Sequence, residues 1–238
     1  MKKQPSICPL EVMIEPAGET LVYSHYARCG EILYFNTSLS LPEGPCLAKE
    51  RQLTVFTIGH SIRTIEEFVE LLKTYGATLL VDVRTVPRSR HNPQFNKETL
   101  PNILKTYNIK YIHMPEIGGL RRPKHDSINL AWKNIGFRGY ADYMQTKEFT
   151  DNLLKIIALT RENCLALMCA EALPWRCHRS LISDALVVRH VKVEHIIGAN
   201  SCLNHHLSEM AHVEGNQITY PLFTKETPQR TLGDFGTS

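Results

Sequence analysis

From Leu53 onward, short apolar runs of strand length alternate with amphipathic stretches of helix length, and this alternation restricts the fold more than any other feature. Residues 53–58 read as a buried strand that ends at Gly59-His60-Ser61. In residues 64–73 the apolar positions 65, 68, 69, 71 and 72 fall mostly on one helical face, with a Thr64/Glu67 capping box and Gly76 as the stop. Strands are expected over 78–83, 109–114, 164–169 and 191–197, and helices over 97–107, 140–160 and 179–189. Strands this apolar, alternating with helices, predict an α/β fold: a mainly parallel sheet of about five strands with helices on both faces, a Rossmann-like three-layer arrangement.

Residues 1–52 break the rhythm and read as a short N-terminal extension, a hairpin or a loosely held arm. The α/β domain is expected over 53–223, and 224–238 reads as a polar tail. No run approaches the 18 or more apolar residues of a membrane span, and the N-terminus lacks the apolar core of a signal peptide, so a cytoplasmic protein without a membrane partner is expected. The seven cysteines include no Cys-x-x-Cys pair, and reduced thiols are expected. A net charge of +3 is too mild to imply nucleic acid, and the positions of the arginines matter more.

Three expected strands finish with a proline soon followed by arginine: Pro87-Arg88 after Asp82-Val83-Arg84, Pro115 before Gly118-Gly119-Leu120-Arg121-Arg122, and Pro174 before Arg176-Cys177-His178-Arg179. Proline ends a strand because it donates no hydrogen bond. In a parallel sheet all three loops share one rim, where ligands usually bind. His60, Asp82, Arg84, Arg88, Arg90, His113, Arg121, Arg176 and Arg179 are therefore candidate substrate-binding residues. Guanidinium groups match phosphate, which suggests a phosphate-bearing small molecule or nucleotide as partner. The alternative is that the arginines pair with Asp82, Glu116 and Glu171 and merely brace the loops.

Cys169, Glu171 and His178 are the candidate catalytic residues. Cys169 is placed at a strand end facing a helix N-terminus and basic groups, which lower a thiol pKa; the alternative is a thiol that only packs. Cys177 reads as a partner thiol or a packing residue. His178 suits proton transfer, and Glu171 either accepts a proton or orients Arg176 or Arg179. The stretch between Cys169 and Arg176 has no glycine, unlike the tight phosphate cradles of protein phosphatases and rhodaneses. Cys169, Cys177, His178 and His60 offer four metal-ligand types, but their spacing follows no metal pattern, so no cofactor is expected. Trp132, Phe137, Tyr140 and Tyr143, beside Lys124, His125 and Arg138, keep a nucleic-acid partner in view through stacking and charge. Nothing in the chain specifies an oligomeric state.

Thr57-Ile58-Gly59-His60-Ser61, Asp82-Val83-Arg84, Pro87 with Ser89-Arg90, Phe95-Asn96, Gly118-Gly119-Leu120-Arg121, residues 139–144, Met168-Cys169-Ala170-Glu171 and Cys177-His178-Arg179 occur in one order. In these motifs the chain, over about residues 53–223, resembles the domain of unknown function family 488 (DUF488). The resemblance implies an α/β fold and a single site built from the strand-end residues, and it implies no reaction. From the residues alone, the leading expectation is an enzyme with an Arg-rich anion pocket, acting on a phosphorylated small molecule, nucleotide or nucleic-acid base through Cys169. A non-catalytic nucleotide- or nucleic-acid-binding module is the alternative, and a Cys/His metal-binding protein or interaction scaffold is a weaker one.

Overall fold

A computed structural model describes residues 52–222; the expected N-terminal hairpin or arm and the polar tail lie outside them. Eight strands and five α-helices are formed by the described residues. In chain order they are β1 (Thr54–Gly59), α1 (Ile65–Thr74), β2 (Leu79–Asp82), α2 (Leu100–Thr106), β3 (Lys110–His113), α3 (Ile135–Tyr143), α4 (Lys147–Glu162), β4 (Leu165–Cys169), α5 (Arg179–Val187), β5 (Lys192–Gly198), β6 (Ser201–Asn204), β7 (His212–Glu214) and β8 (Gln217–Thr219). One six-stranded sheet has the order β3-β2-β4-β1-β5-β6, and β7 and β8 form a separate antiparallel hairpin.

The expected α/β class holds, with one strand more than the sequence suggested. β1 to β5 are mutually parallel, and β6 turns back from β5 as an antiparallel edge. Ser201-Cys202-Leu203-Asn204 is too short and too exposed to carry an apolar signature. The single helix expected over 140–160 is two helices. Thr146 lies between them in extended backbone and accepts the Phe149 amide (3.2 Å), capping α4. No proline or glycine marks that break.

Alternate strand residues face opposite layers. Leu80, Ala166 and Met168 pack with Phe68, Leu72, Leu100 and Leu104 of α1 and α2. Val81, Leu167 and Cys169 pack with Tyr140, Phe149, Ile156, Leu181 and Ile182 of α3, α4 and α5. The connections leaving β1 and β2 therefore go to one face, and the connection leaving β4, which lies between them, goes to the other. Such a divergence opens a crevice at the carboxyl ends of the strands. The register levels those ends, since Gly59 pairs with Cys169, and Asp82 with both Met168 and His113.

The long loop before α3 is held from below. Asp142 of α3, 4 % exposed, accepts the Lys124 amide (2.8 Å), the Ser127 hydroxyl (2.6 Å) and the Asn129 side-chain amide (2.7 Å). No helix among the described residues is long and apolar enough to cross a membrane.

Candidate active site

The loop after β4 descends through a 3-10 turn, Pro174–Arg176, and returns to the rim as α5 begins. That return brings Cys177 back to the strand end, and its Sγ lies 2.8 Å from Sγ of Cys169. The two thiols form part of the floor of an open pocket of about 340 Å³. Val86, Leu120 and Phe137 line its walls, together with Arg176, His178 and Glu171.

Donor and acceptor chemistry fixes most of the protons here. His178 Nε2 lies 3.1 Å from the Val83 carbonyl oxygen, which can only accept, so the proton is on Nε2. In the neutral imidazole Nδ1 is then the acceptor, 3.4 Å from Cys177 Sγ and placed to take the proton of that thiol when it ionises. Cys169 Sγ accepts the Glu171 amide at 3.2 Å and can donate its own proton to Cys177. That Cys169 hydrogen bond holds the Cys177 thiol well below its ordinary range, and His178 and Arg179 act in the same sense against burial. Burial, and then the bond to Cys177, pushes the Cys169 thiol up. The lowered thiol is thus that of Cys177, and the raised one is that of Cys169, the candidate nucleophile of the sequence analysis.

Arg179 supplies the positive charge beside this pair. It is 1 % exposed, and its guanidinium donates to the carbonyl oxygens of Glu171 (2.5 Å) and Ala172 (3.4 Å) and to the Thr57 hydroxyl (3.3 Å). No carboxylate pairs with it among the described residues, and its Nε has no partner. A buried cation without a counter-charge is costly, and a neighbouring thiolate offsets that cost.

Two glycines permit the close approaches that this geometry needs. A Cβ on Gly59 would lie 1.8 Å from the Glu171 carbonyl oxygen, the group that holds Arg179. A Cβ on Gly119 would lie 2.5 Å from Nδ1 of His178.

The remaining candidate residues separate into groups. Asp82 is fully buried and receives Arg84 through Nε (2.9 Å), Nη2 (2.6 Å) and the backbone amide, and also the Tyr111 hydroxyl (2.8 Å). Arg84 also donates to the Phe95 carbonyl (2.7 Å) and to Nε2 of His60 (3.2 Å), so this pair braces the rim. His60 donates from Nδ1 to the Ser61 carbonyl. Burial, and then the charge of Arg84, lowers its pKa to about 4, so it stays neutral. His113 donates to the Arg84 carbonyl at 2.9 Å. Arg121 donates to the carbonyls of Gly118 and Glu116 and lies 3.7 Å from the centre of the Tyr143 ring. Arg88 pairs with Glu98 on the surface, and the exposed Arg90 does not line the pocket. Of the six candidate arginines, Arg84 and Arg176 line the pocket, and of these two Arg84 is engaged by Asp82 while the Arg176 guanidinium has no partner among the described residues.

Both nitrogens of His60 are engaged within the protein, by the Ser61 carbonyl and by Arg84. No group of three or more His, Cys, Asp or Glu among the described residues is arranged to hold a metal ion. Tyr140 is fully buried and donates to the Ile117 carbonyl (2.8 Å), so it offers no open face to a base; Trp132 is half-buried, stacked on Phe137 and edge-on to Tyr220. Val86 and Leu120 were missed from the sequence because they come from two separate loops with no shared pattern, and Phe137, in the first turn of α3, was named there only as a ring that could stack on a base. Gly59 carried the best available signal, a glycine at a strand end where another backbone approaches closely.

No curated protein and no solved structure matches the chain. The family model described as Domain of unknown function DUF488 matches residues 64–186, more than half of the chain, in the segment that contains Asp82, Cys169, Cys177, His178 and Arg179. The chain belongs to the DUF488 family.

Proposed function

We propose that this protein is a thiolate-dependent enzyme acting on a small molecule, with Cys177 as the nucleophile. The observation that carries the proposal is the contact of Cys177 with Cys169 and His178 at the edge of an open pocket, beside a buried arginine that lacks a carboxylate. A nucleophile in hydrogen-bond reach of a base, with the base oriented by a third group, is the arrangement that activates a side chain for covalent chemistry. Here Cys169 donates to the nucleophile, His178 takes and returns the proton, and the Val83 carbonyl fixes the imidazole.

The pocket suits a substrate with an apolar body against Val86, Leu120 and Phe137 and one anionic or polar group near Arg176. A single phosphate or carboxylate fits this better than the dense anion cradle expected from the arginine count. A non-catalytic nucleotide- or nucleic-acid-binding role has less support, because Arg84, Arg121 and Arg179 are occupied within the protein and Tyr140 is buried.

Alkylation with iodoacetamide across pH, with the modified cysteine located by peptide mass, tests the proposal. Cys177 should react with a midpoint well below the ordinary thiol value of about 8.5, and Cys169→Ala should move that midpoint upward. If Cys177 reacts no faster below pH 7 than Cys202, whose pKa burial pushes up to about 11, the thiolate assignment fails.

A further inference from the structure

The mechanism above uses Cys169 only as a hydrogen-bond donor, and a hydroxyl would serve that purpose. A second thiol in contact with the first can also form a bond to it. We propose that Cys177 and Cys169 together reduce a hydroperoxide with an apolar body, with Cys177 as the attacking thiolate and Cys169 as the resolving thiol. This rests on Cys177 being the thiolate of the site.

Three features point to this chemistry. The sulfurs are 2.8 Å apart, less than an ångström beyond the disulfide bond length of about 2.05 Å. Cys169 is fixed by the sheet through its pairing with Gly59, whereas Cys177 follows the loop after β4, and the remaining gap between the sulfurs is under an ångström. The third feature is the set of donors available to a leaving group. Acyl or phosphoryl transfer needs several donors around a developing oxyanion, but the donors of Arg84, Arg121 and Arg179 are largely occupied by groups of the protein. Cleavage of an O–O bond needs one proton for the departing oxygen, and His178 Nδ1, beside Cys177 Sγ, is placed to deliver it.

The electrons balance as follows. Cys177 transfers its proton to His178, and the thiolate attacks the terminal oxygen of ROOH. The O–O bond breaks, Cys177 becomes the sulfenic acid, and RO⁻ takes the proton from His178 to leave as ROH. Cys169 then attacks the sulfenic sulfur, the S–S bond forms, and hydroxide leaves as water with the Cys169 proton. Two electrons pass from the thiol pair to the peroxide, and two equivalents of an external thiol restore the pair. Val86, Leu120 and Phe137 select an organic hydroperoxide over hydrogen peroxide.

The test treats the reduced full-length chain with one equivalent of cumene hydroperoxide at pH 6.5. The expected result is one cumyl alcohol per chain, a mass loss of about 2 Da, a Cys169–Cys177 cross-linked peptide, and full reversal by dithiothreitol. The rate should exceed that of free glutathione by on the order of 10- to 100-fold, because a thiol of pKa about 8.5 is only about 1 % ionised at that pH. In Cys169→Ser, dimedone should label Cys177 and no cross-link should form; Cys177→Ser should consume no peroxide above the background of the other thiols. Fast alkylation of Cys177 without a Cys169–Cys177 link would overturn this inference and leave the nucleophile assignment standing. A link formed by glutathione disulfide but not by hydroperoxide would overturn the choice of substrate. Failure of the alkylation test removes both.

Discussion

Replacing Gly59 with alanine should unseat the whole site from a position that carries no reactive group. The added Cβ would stand 1.8 Å from the Glu171 carbonyl oxygen and 2.6 Å from its carbon. Reaching even 3.0 Å from the oxygen requires a shift of 1.2 Å, the difference between 3.0 and 1.8 Å. No side chain can rotate away to allow it, because both clashing atoms are backbone and Gly59 is paired with Cys169 in the sheet. The carbonyl that must move holds Arg179 at 2.5 Å, and the amide of the same residue reaches Cys169 Sγ. Overpacking of this kind costs about 1–3 kcal/mol, and a lost hydrogen bond to a buried charge about 1.5–3 kcal/mol. Reduced freedom of the unfolded chain returns about 0.4–1 kcal/mol. We therefore expect Gly59→Ala to lower the unfolding free energy by about 2–5 kcal/mol and to slow alkylation of Cys177. Equilibrium urea unfolding read by tryptophan fluorescence measures the first effect, and peptide mapping the second. Gly198→Ala is the control, since its Cβ would meet nothing nearer than Ser201 at 3.9 Å. A Gly59→Ala protein within 1 kcal/mol of the parent, with unaltered Cys177 labelling, would refute the argument that this close approach positions Arg179 and the thiols.

Two further outcomes follow from the same geometry. Burial lowers the pKa of His60 to about 4, with Arg84 next in effect, and that of His195 to about 3, with His205 next. The unfolded chain therefore binds more protons below about pH 6.5, so the stability these neutral imidazoles contribute is present at pH 7 and lost as pH falls. Each should contribute a loss of about 2 kcal/mol between pH 7 and pH 5, read from urea unfolding at both values; a combined loss under about 1 kcal/mol would contradict their burial as neutral groups. Asp82→Asn leaves the Arg84 guanidinium, 7 % exposed, without its counter-charge, and should cost about 3–5 kcal/mol. Much of that should return in the double variant Asp82→Asn with Arg84→Met, and a single variant as stable as the parent would show that the pair does not brace the rim.

The parallel sheet and the rim were legible because they follow from rules that act on residue type. Apolar strands must be covered on both faces, and Pro115 and Pro174 each open a 3-10 turn just past a strand, where the missing N–H is harmless. What could not be read was where each side chain ends. Arg84, Arg121 and Arg179 look alike in sequence. Arg84 meets a carboxylate two residues away, while Arg121 and Arg179 are held mainly by carbonyl oxygens. Every residue has a carbonyl, so such a partner leaves no compositional trace, and a cluster of arginines read as an anion cradle becomes mostly a set of loop braces. The same reasoning applies to the thiols. Cys169 and Cys177 lie eight positions apart, which in an extended chain would separate them by well over 20 Å. The β4–α5 connection must double back to cover the sheet, so the last residue of the strand and the residues that open the helix meet again at the rim. Their contact is thus a consequence of topology, and Arg179, arriving with α5 and lacking a carboxylate, turns that contact into a site for negative charge on sulfur.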